Sequence, residues 1–591
     1  MSEYRAPLED MRFVLRELAG LDRIAALPGY EEADSDVVDA VLDEAARFAG
    51  EVLSPLNRVG DLHGAQLRQG EVTTAPGFRE AYRSFVEAGW NGLAAPQEFG
   101  GQGLPRLLAA AVGEMWKGAN HAFSLCPMLT QGAIEALLLA GTEAQRALYL
   151  PRLVAGEWTG TMNLTEPAAG SDLAAIRTRA EQVGDGSYRV FGQKIFITYG
   201  EHDLAENIVH LVLARIAGAP EGVKGISLFL VPKFLPGPDG RPGARNDVRC
   251  LSLEHKLGIH GSPTAVLAFG EAGGALGSLV GEANRGLELM FIMMNAARFN
   301  VGLEGLGDAE RAYQRAAAYA RERVQGVEAG QRQGGRVPIL RHPDVRRLLL
   351  AMRSRIEAMR ALAYGVAAAL DEADRHPDDA IRAEARAFAE LLVPVVKGWC
   401  TESAVDIASQ GIQVHGGAGY IEETGAAQHL RDARITAIYE GTTAIQANDL
   451  VGRKVLRDGG AALAALVASM RRDALAAGND PVGQRLIAAV EALERAGVWL
   501  LAEGNRNVAA TLAGSVPFLL LLGSTAGGWQ MVRAAAIARE RQAAGDTAAF
   551  WSAKLATARF YADHFLTQAP GMAAVICEGA AGTLAMPDQC F

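Results

Sequence analysis

At 591 residues the chain has room for three or four folding units of roughly 100–200 residues each. A hydrophobic share of 49% supplies several cores, and a net charge of −11 with no basic block argues against nucleic acid as a main partner, since duplex binding draws on phosphate neutralisation. Five scattered cysteines, Cys126, Cys250, Cys400, Cys577 and Cys590, form no CxxC and no His/Cys cluster, which argues against a zinc site or a disulfide framework and leaves free core thiols.

The opening MSEYRAPLED carries acids where a signal peptide has basic and then apolar regions. No run approaches the ~18 uninterrupted apolar residues of a membrane span. The nearest, Val516 to Gly523, is cut to core-helix size by its proline and glycine. A cytoplasmic protein without integral membrane association is therefore expected.

Residues 1–160 read as helices. Asp34, Ser35 and Asp36 can cap a helix through VVDAVLDEAARFAGEVL, apolar at i, i+3, i+4 and i+7. Ala133 to Leu139 and Gln145 to Leu150 are further helical pieces. Residues 161–283 alternate short β-type runs with turn residues: Tyr188 to Phe191, Lys194 to Thr198, Ile208 to Leu213, Ile226 to Val231 and Val266 to Phe269. PGPDGRPGARND is a surface loop by composition. With no long helices between them, these strands predict an antiparallel barrel or sandwich. Residues 284–455 return to helix. Leu287 to Arg323 contains no proline and would span about 55 Å. QGVEAGQRQGGRVP breaks it, and a second long helix starts at His342. Residues 456–591 form an Ala/Leu-rich helical tail, for which internal packing is expected.

Four stretches carry candidate chemistry. Met162 to Asp172, MNLTEPAAGSD, sits at the helix-to-strand junction and reads as a capped loop or as an anion cradle of amides and hydroxyls. Gly192 to Gly200 places Phe196 and Thr198 two apart on one strand face. Gln413 to Tyr420, QVHGGAGY, has glycines dense enough for close backbone approach, although a short glycine pattern is weak evidence alone. The fourth, Arg431 to Thr443, holds one carboxylate, Glu440, between Tyr439 and a glycine that a helix interior would resist. Arg431, Asp432 and Arg434 read as charge pairing near a helix end.

In this order, and on an α-β-α background, the pieces LTEPAAGSD, KLGIHGSPT, YARER, QVHGGAGY and IYEGT resemble the acyl-CoA dehydrogenase family over roughly residues 40–455. The first residues and the helical tail resemble its large bacterial branch, which acts on fatty acyl-CoA or 3-(methylthio)propanoyl-CoA. The resemblance implies an N-terminal helical domain, a central antiparallel β-domain, a C-terminal four-helix bundle and an extra helical domain. It implies FAD as cofactor, with Leu164, Thr165, Gly170 and Ser171 near flavin ring and diphosphate, and Ser171 also near CoA. Phe196 stands where an aromatic packs on the flavin, and Thr198 where a hydroxyl reaches N5. Arg323, Gln413, Gly416 and Gly417 match positions that reach the FAD of a neighbouring subunit, so a homo-oligomer, at least a dimer, is implied. Thr442 matches a residue near the adenine or diphosphate end.

The same resemblance makes Glu440 the base that removes the α proton while hydride passes from the β carbon to flavin. Gly441 beside it leaves room for substrate, and an apolar pocket is expected to raise the carboxylate's pKa. Relatives with the base on the earlier helix have a carboxylate where this chain has Ala297. That leaves Arg298 as a structural or CoA-proximal residue. The implied partners are an acyl-CoA substrate and an electron-transfer flavoprotein. An oxygen-using acyl-CoA oxidase and a DNA-associated flavoprotein are the alternatives of the same fold.

Overall fold

The computed structural model describes residues 4–184, 186–331 and 334–591. Two compact units divide the chain: residues 1–46, 105–118 and 301–591 in one, residues 47–104 and 119–300 in the other. The helix Gly286–Glu322 runs unbroken through the boundary, as its proline-free sequence predicts. At the other end, the helix Ser35–Phe48 begins where expected, with Asp34 accepting from the Val37 amide.

The second unit is built on an eight-stranded sheet in which Val248–Leu253, Thr264–Phe269, Tyr188–Thr198, Ala275–Val280, Ile226–Pro232, Asn207–Ile216 and Trp158–Asn163 lie side by side. Most neighbours are antiparallel, as the short connections require. Two pairings differ: Trp158–Asn163 and Arg179–Gln182 both run parallel to Asn207–Ile216. Period-2 hydropathy sets which face is buried but carries no information on strand direction. The core beneath this sheet includes Val190, Val212, Phe229, Val231, Leu267 and Phe269. The helix His121–Ala140 is long and apolar enough to cross a membrane by length and composition, yet 78% of its window is buried. It is a core helix whose Ala133 faces Gly160 of the strand Trp158–Asn163, where no larger residue would fit.

The first unit is helical. Ser515–Ala543, which contains the apolar run Val516 to Gly523, packs against Pro343–Arg375, Asp379–His415 and Thr443–Asp449. Gly523 and Gly527, four apart on one face, admit the Trp399 ring; a Cβ at Gly523 would lie 2.4 Å from it. The tail is thus packed onto its own chain, as expected of it. Of the cysteines, Cys126, Cys250 and Cys400 are buried thiols, whereas Cys577 is half-buried and Cys590 exposed, so the expectation of core thiols fails for the last two.

Charges far apart in sequence meet in the interior of the helical unit. Arg360, 1% exposed, binds Glu114 at 2.6 Å, Glu310 at 2.8 Å and Asp10. Lys554 in the tail also binds Asp10, and lies 3.1 Å from Glu357. Burial alone would raise the Asp10 carboxyl; Lys554 and Arg360 overcome it and hold the pKa at about 2, below the ordinary 3.8. A depressed carboxylate contributes stability above its unfolded pKa and loses it as pH falls through the folded one. Asp10→Asn should therefore cost about 2 kcal/mol at neutral pH, and the gap to the parent in urea midpoint should close between pH 3.8 and about 2.

Candidate active site

In the sheet unit, the strand Trp158–Asn163 leads into the LTEP turn, closed by reciprocal 3.0 Å hydrogen bonds between the backbones of Glu166 and Ala169. Ala168 at the tip does not have positive φ, so alanine is accommodated there without strain. Leu164 and Thr165 are half-buried, while Gly170 and Ser171 are exposed, with nothing within 4 Å of a Cβ built on Gly170.

What fixes this turn is an ion pair the sequence does not advertise. The fully buried Lys194 ammonium donates to the Leu164 carbonyl at 3.0 Å and to Glu166 at 2.8 Å. Glu166 also accepts from the Arg177 and Thr178 amides and from the Thr178 hydroxyl. Burial pushes the Lys194 ammonium down to about 8, against the pull of Glu166. The Glu166 carboxyl sits below its ordinary range because Lys194 and these donors outweigh its desolvation. Lys194→Met would strand Glu166 without a counter-charge, at a cost of about 3 kcal/mol. A lowered denaturation midpoint with unchanged denaturant slope is the expected result.

A β-bulge lets Lys194 and Ile197 both turn inward while Phe196 and Thr198 keep to the outer face. The pairing with Thr264–Phe269 slips between Lys194 and Ile197, and Phe196 takes up a left-handed φ of 59°. The slip turns both Lys194 and Ile197 inward. Phe196 is left 59% exposed, with Thr198 half-buried beside it on the same strand. An exposed aromatic ring next to a hydroxyl suits a planar heteroaromatic ligand better than a core role. Arg298, by contrast, is buried, and its guanidinium lies 3.5 Å from Asn295.

In the helical unit, the loop between the helices Ala426–Ala433 and Thr443–Asp449 carries Glu440. Glu440 and Gly441 are consecutive left-handed residues, with φ of 53° and 91°. For a glutamate this conformation costs about 1–2 kcal/mol. A Cβ at Gly441 would sit 2.8 Å from the Gln446 amide nitrogen, so glycine is required there twice over. The Gln446 amide donates to the Glu440 carbonyl at 2.9 Å and to the Gly441 carbonyl at 3.2 Å. The buried Lys397 donates to the Gly441 carbonyl at 2.8 Å. The Tyr439 hydroxyl donates to the buried Glu304, and the Thr443 hydroxyl to Glu402 at 2.5 Å. Glu440 itself is half-buried. Thr442 is exposed and caps the short helix after it through a 3.4 Å contact with the Ile445 amide.

Arg323 and the QVHGG residues form a second group. Arg323 follows the end of Gly286–Glu322, one turn beyond Tyr319, whose ring stacks on His415 at 4.5 Å. Gly416 has φ of 60°, and open space surrounds Gly416 and Gly417. Gln413 lies sixteen residues beyond Lys397 on the helix Asp379–His415, about 24 Å along its axis. The helical unit therefore brings Arg323, Gln413, Gly416 and Gly417 together and sets them well apart from Glu440, Gly441 and Thr442. Arg431 pairs with Glu422 at 2.9 Å, and Asp432 accepts from Gln428, so those charges are structural as expected. Lys194, Glu166, Lys397, Gln446 and Glu304 are supporting residues that sequence reasoning passed over.

Comparison with known proteins places these features in context. Family models for the acyl-CoA dehydrogenase N-terminal, middle and C-terminal domains match residues 35–157, 161–272 and 284–456. A further model, described as acetyl-CoA dehydrogenase C-terminal like, matches 461–587. The chain is 50% identical over 572 residues to a 3-methylmercaptopropionyl-CoA dehydrogenase of Ruegeria pomeroyi, covering 96% of both chains. It is 36% identical over 590 residues to a broad-specificity linear acyl-CoA dehydrogenase of Mycobacterium tuberculosis, again covering 96% of each. Among solved structures, Caenorhabditis elegans ACDH-11 in complex with C11-CoA has a similar fold, with a TM-score of 0.78 at 21% identity over 96% of this chain and 93% of that one.

Proposed function

The chain belongs to the acyl-CoA dehydrogenase family, and from that membership we propose that it oxidises an acyl-CoA thioester to the trans-2-enoyl-CoA with FAD as cofactor. A 3-(methylthio)propanoyl or short linear acyl chain is the favoured substrate class, supported by the relative of 50% identity. The observation that carries the reading is Glu440: a half-buried carboxylate on a loop whose backbone is held just after it by two buried donors, Gln446 and Lys397.

FAD, when bound, supplies the two-electron acceptor for the hydride that leaves the β carbon. The residues in the sheet unit fit that cofactor: the exposed Phe196 ring offers a stacking face, Thr198 a hydroxyl, and Gly170 and Ser171 an uncrowded turn. Leu164 and Thr165 complete that edge. Glu440 takes the α proton as its C–H electron pair becomes the new double bond. The Glu440 backbone N–H is the chain's own donor for the thioester oxygen as enolate charge develops. Gly441 keeps the approach to that oxygen clear, and Thr442 lies toward the nucleotide. Arg298, buried in its helix, is read as structural.

Arg323, Gln413, Gly416 and Gly417 serve the cofactor of a second copy. The rise of about 24 Å along the helix axis from Lys397, which binds the loop of Glu440, to Gln413 supports this division, as does the open space at the two glycines. Electrons then pass to an electron-transfer flavoprotein.

The test is an anaerobic panel of acyl-CoA thioesters against the purified yellow protein. Bleaching by 3-(methylthio)propanoyl-CoA or a short linear chain is expected, with rapid reoxidation by electron-transfer flavoprotein and slow reoxidation by air. A flavin that no thioester bleaches would overturn the assignment, and faster reoxidation by air would favour an oxidase.

A further inference from the structure

Two side chains on different helices converge on the backbone of the loop that presents Glu440. Lys397 comes from the middle of Asp379–His415, and its ammonium meets the Gly441 carbonyl at 2.8 Å. Gln446 comes from the helix just after the loop and donates to the carbonyls of both Glu440 and Gly441, at 2.9 and 3.2 Å. Lys397 and Gln446 are each fully buried. A lysine in such a place is costly unless its charge is well met, and one of its contacts here is a carbonyl on the loop of the proposed base.

Geometry gives this contact a consequence. A peptide unit is planar, so fixing a carbonyl fixes the amide at the other end of the same unit. Holding the 440 and 441 carbonyls sets the two peptide planes that follow Glu440, those on either side of Gly441. The first of them is one of the two planes that flank the Glu440 Cα, so holding it restricts the direction in which the Cα–Cβ bond leaves the chain. Without the two donors, nothing in the local sequence favours a left-handed glutamate, and the loop would relax toward ordinary φ.

We propose that Lys397 and Gln446 are positioning residues for proton abstraction, holding the Glu440–Gly441 backbone so that the carboxylate is aimed before substrate arrives. The proposal rests on Glu440 being the base. It predicts an effect on the chemical step larger than the effect on binding, because the donors touch the backbone of the base and not the substrate.

The experiment uses the holoenzyme and single-turnover bleaching by an acyl-CoA that reduces the native protein. Gln446→Leu removes the amide donor at similar size and Lys397→Met removes the ammonium. The bleaching rate should fall about 10–100-fold in each, with thioester affinity, read by titration of the flavin spectrum, changing less than about 3-fold. Gln446→Glu, able to donate only when protonated, should regain rate relative to the native protein at the same pH as pH is lowered, which a loss of general stability would not produce. If Lys397→Met fails to fold, Gln446→Leu decides alone. Native-rate bleaching in a flavin-loaded Gln446→Leu protein would overturn the proposal. Should the native protein bleach and Glu440→Gln not, while Gln446→Leu is unimpaired, only the positioning role falls and the base assignment stands.

Discussion

Replacing Glu440 with glutamine should leave FAD bound and the fold intact while cutting flavin bleaching by acyl-CoA about 10²–10⁴-fold, the usual contribution of a general base. The amide keeps the size of the carboxylate and is compatible with the half-buried site. It keeps the backbone contacts to Gln446 and Lys397, which run through carbonyls and not through the side chain. What it loses is the ability to accept a proton at neutral pH. Nearby carboxylates on the same unit are already engaged: Glu304 accepts from Tyr439, and Glu402 from Thr443 at 2.5 Å. Stopped-flow reduction of the loaded variant checks the expectation. Reduction at the native rate would mean that another group removes the proton.

The largest stability effect is expected at Arg360. Arg360→Met should remove about 3–5 kcal/mol, a large part of the 5–15 kcal/mol typical of a whole domain. The guanidinium is 1% exposed and meets Glu114, Glu310 and Asp10 at once, so its loss removes the cation these three carboxylates share, while Lys554 stays against Asp10. Tyr364 donates to Glu114 at 2.7 Å but brings no charge. Arg360→Lys keeps the charge as a single point, without the planar fork that reaches several carboxylates, and should fall between the two. Urea denaturation followed by far-UV signal measures it. An unchanged midpoint for the methionine variant would show that the cluster is already neutral in the folded protein.

The helical and β segments were legible because their apolar residues repeat at 3.6 and at 2, and the site segments because their spacing matches a family pattern. Other features could not be read from local sequence. Lys194 sits in an alternating strand and looks exposed by period; the bulge at Phe196 reverses that, and β-rich residues give no sign of a slip. The pairs Lys194–Glu166 and Arg360–Asp10 join residues 28 and 350 apart. Charge pairing of that kind is fixed by tertiary packing alone. Glu440 was found as a carboxylate in unusual company, but its left-handed backbone was not, since glutamate has no preference for that region and the donors that impose it come from elsewhere.

Proton removal at the α carbon can be watched apart from the rest of the reaction. In deuterium oxide, (methylthio)acetyl-CoA offers α hydrogens but has sulfur where the next carbon would release hydride, so only the first step can proceed. The native holoenzyme should wash deuterium into that position well above the enzyme-free background, and the Glu440→Gln protein should not. Equal exchange by both proteins would contradict the assignment of Glu440 as the base.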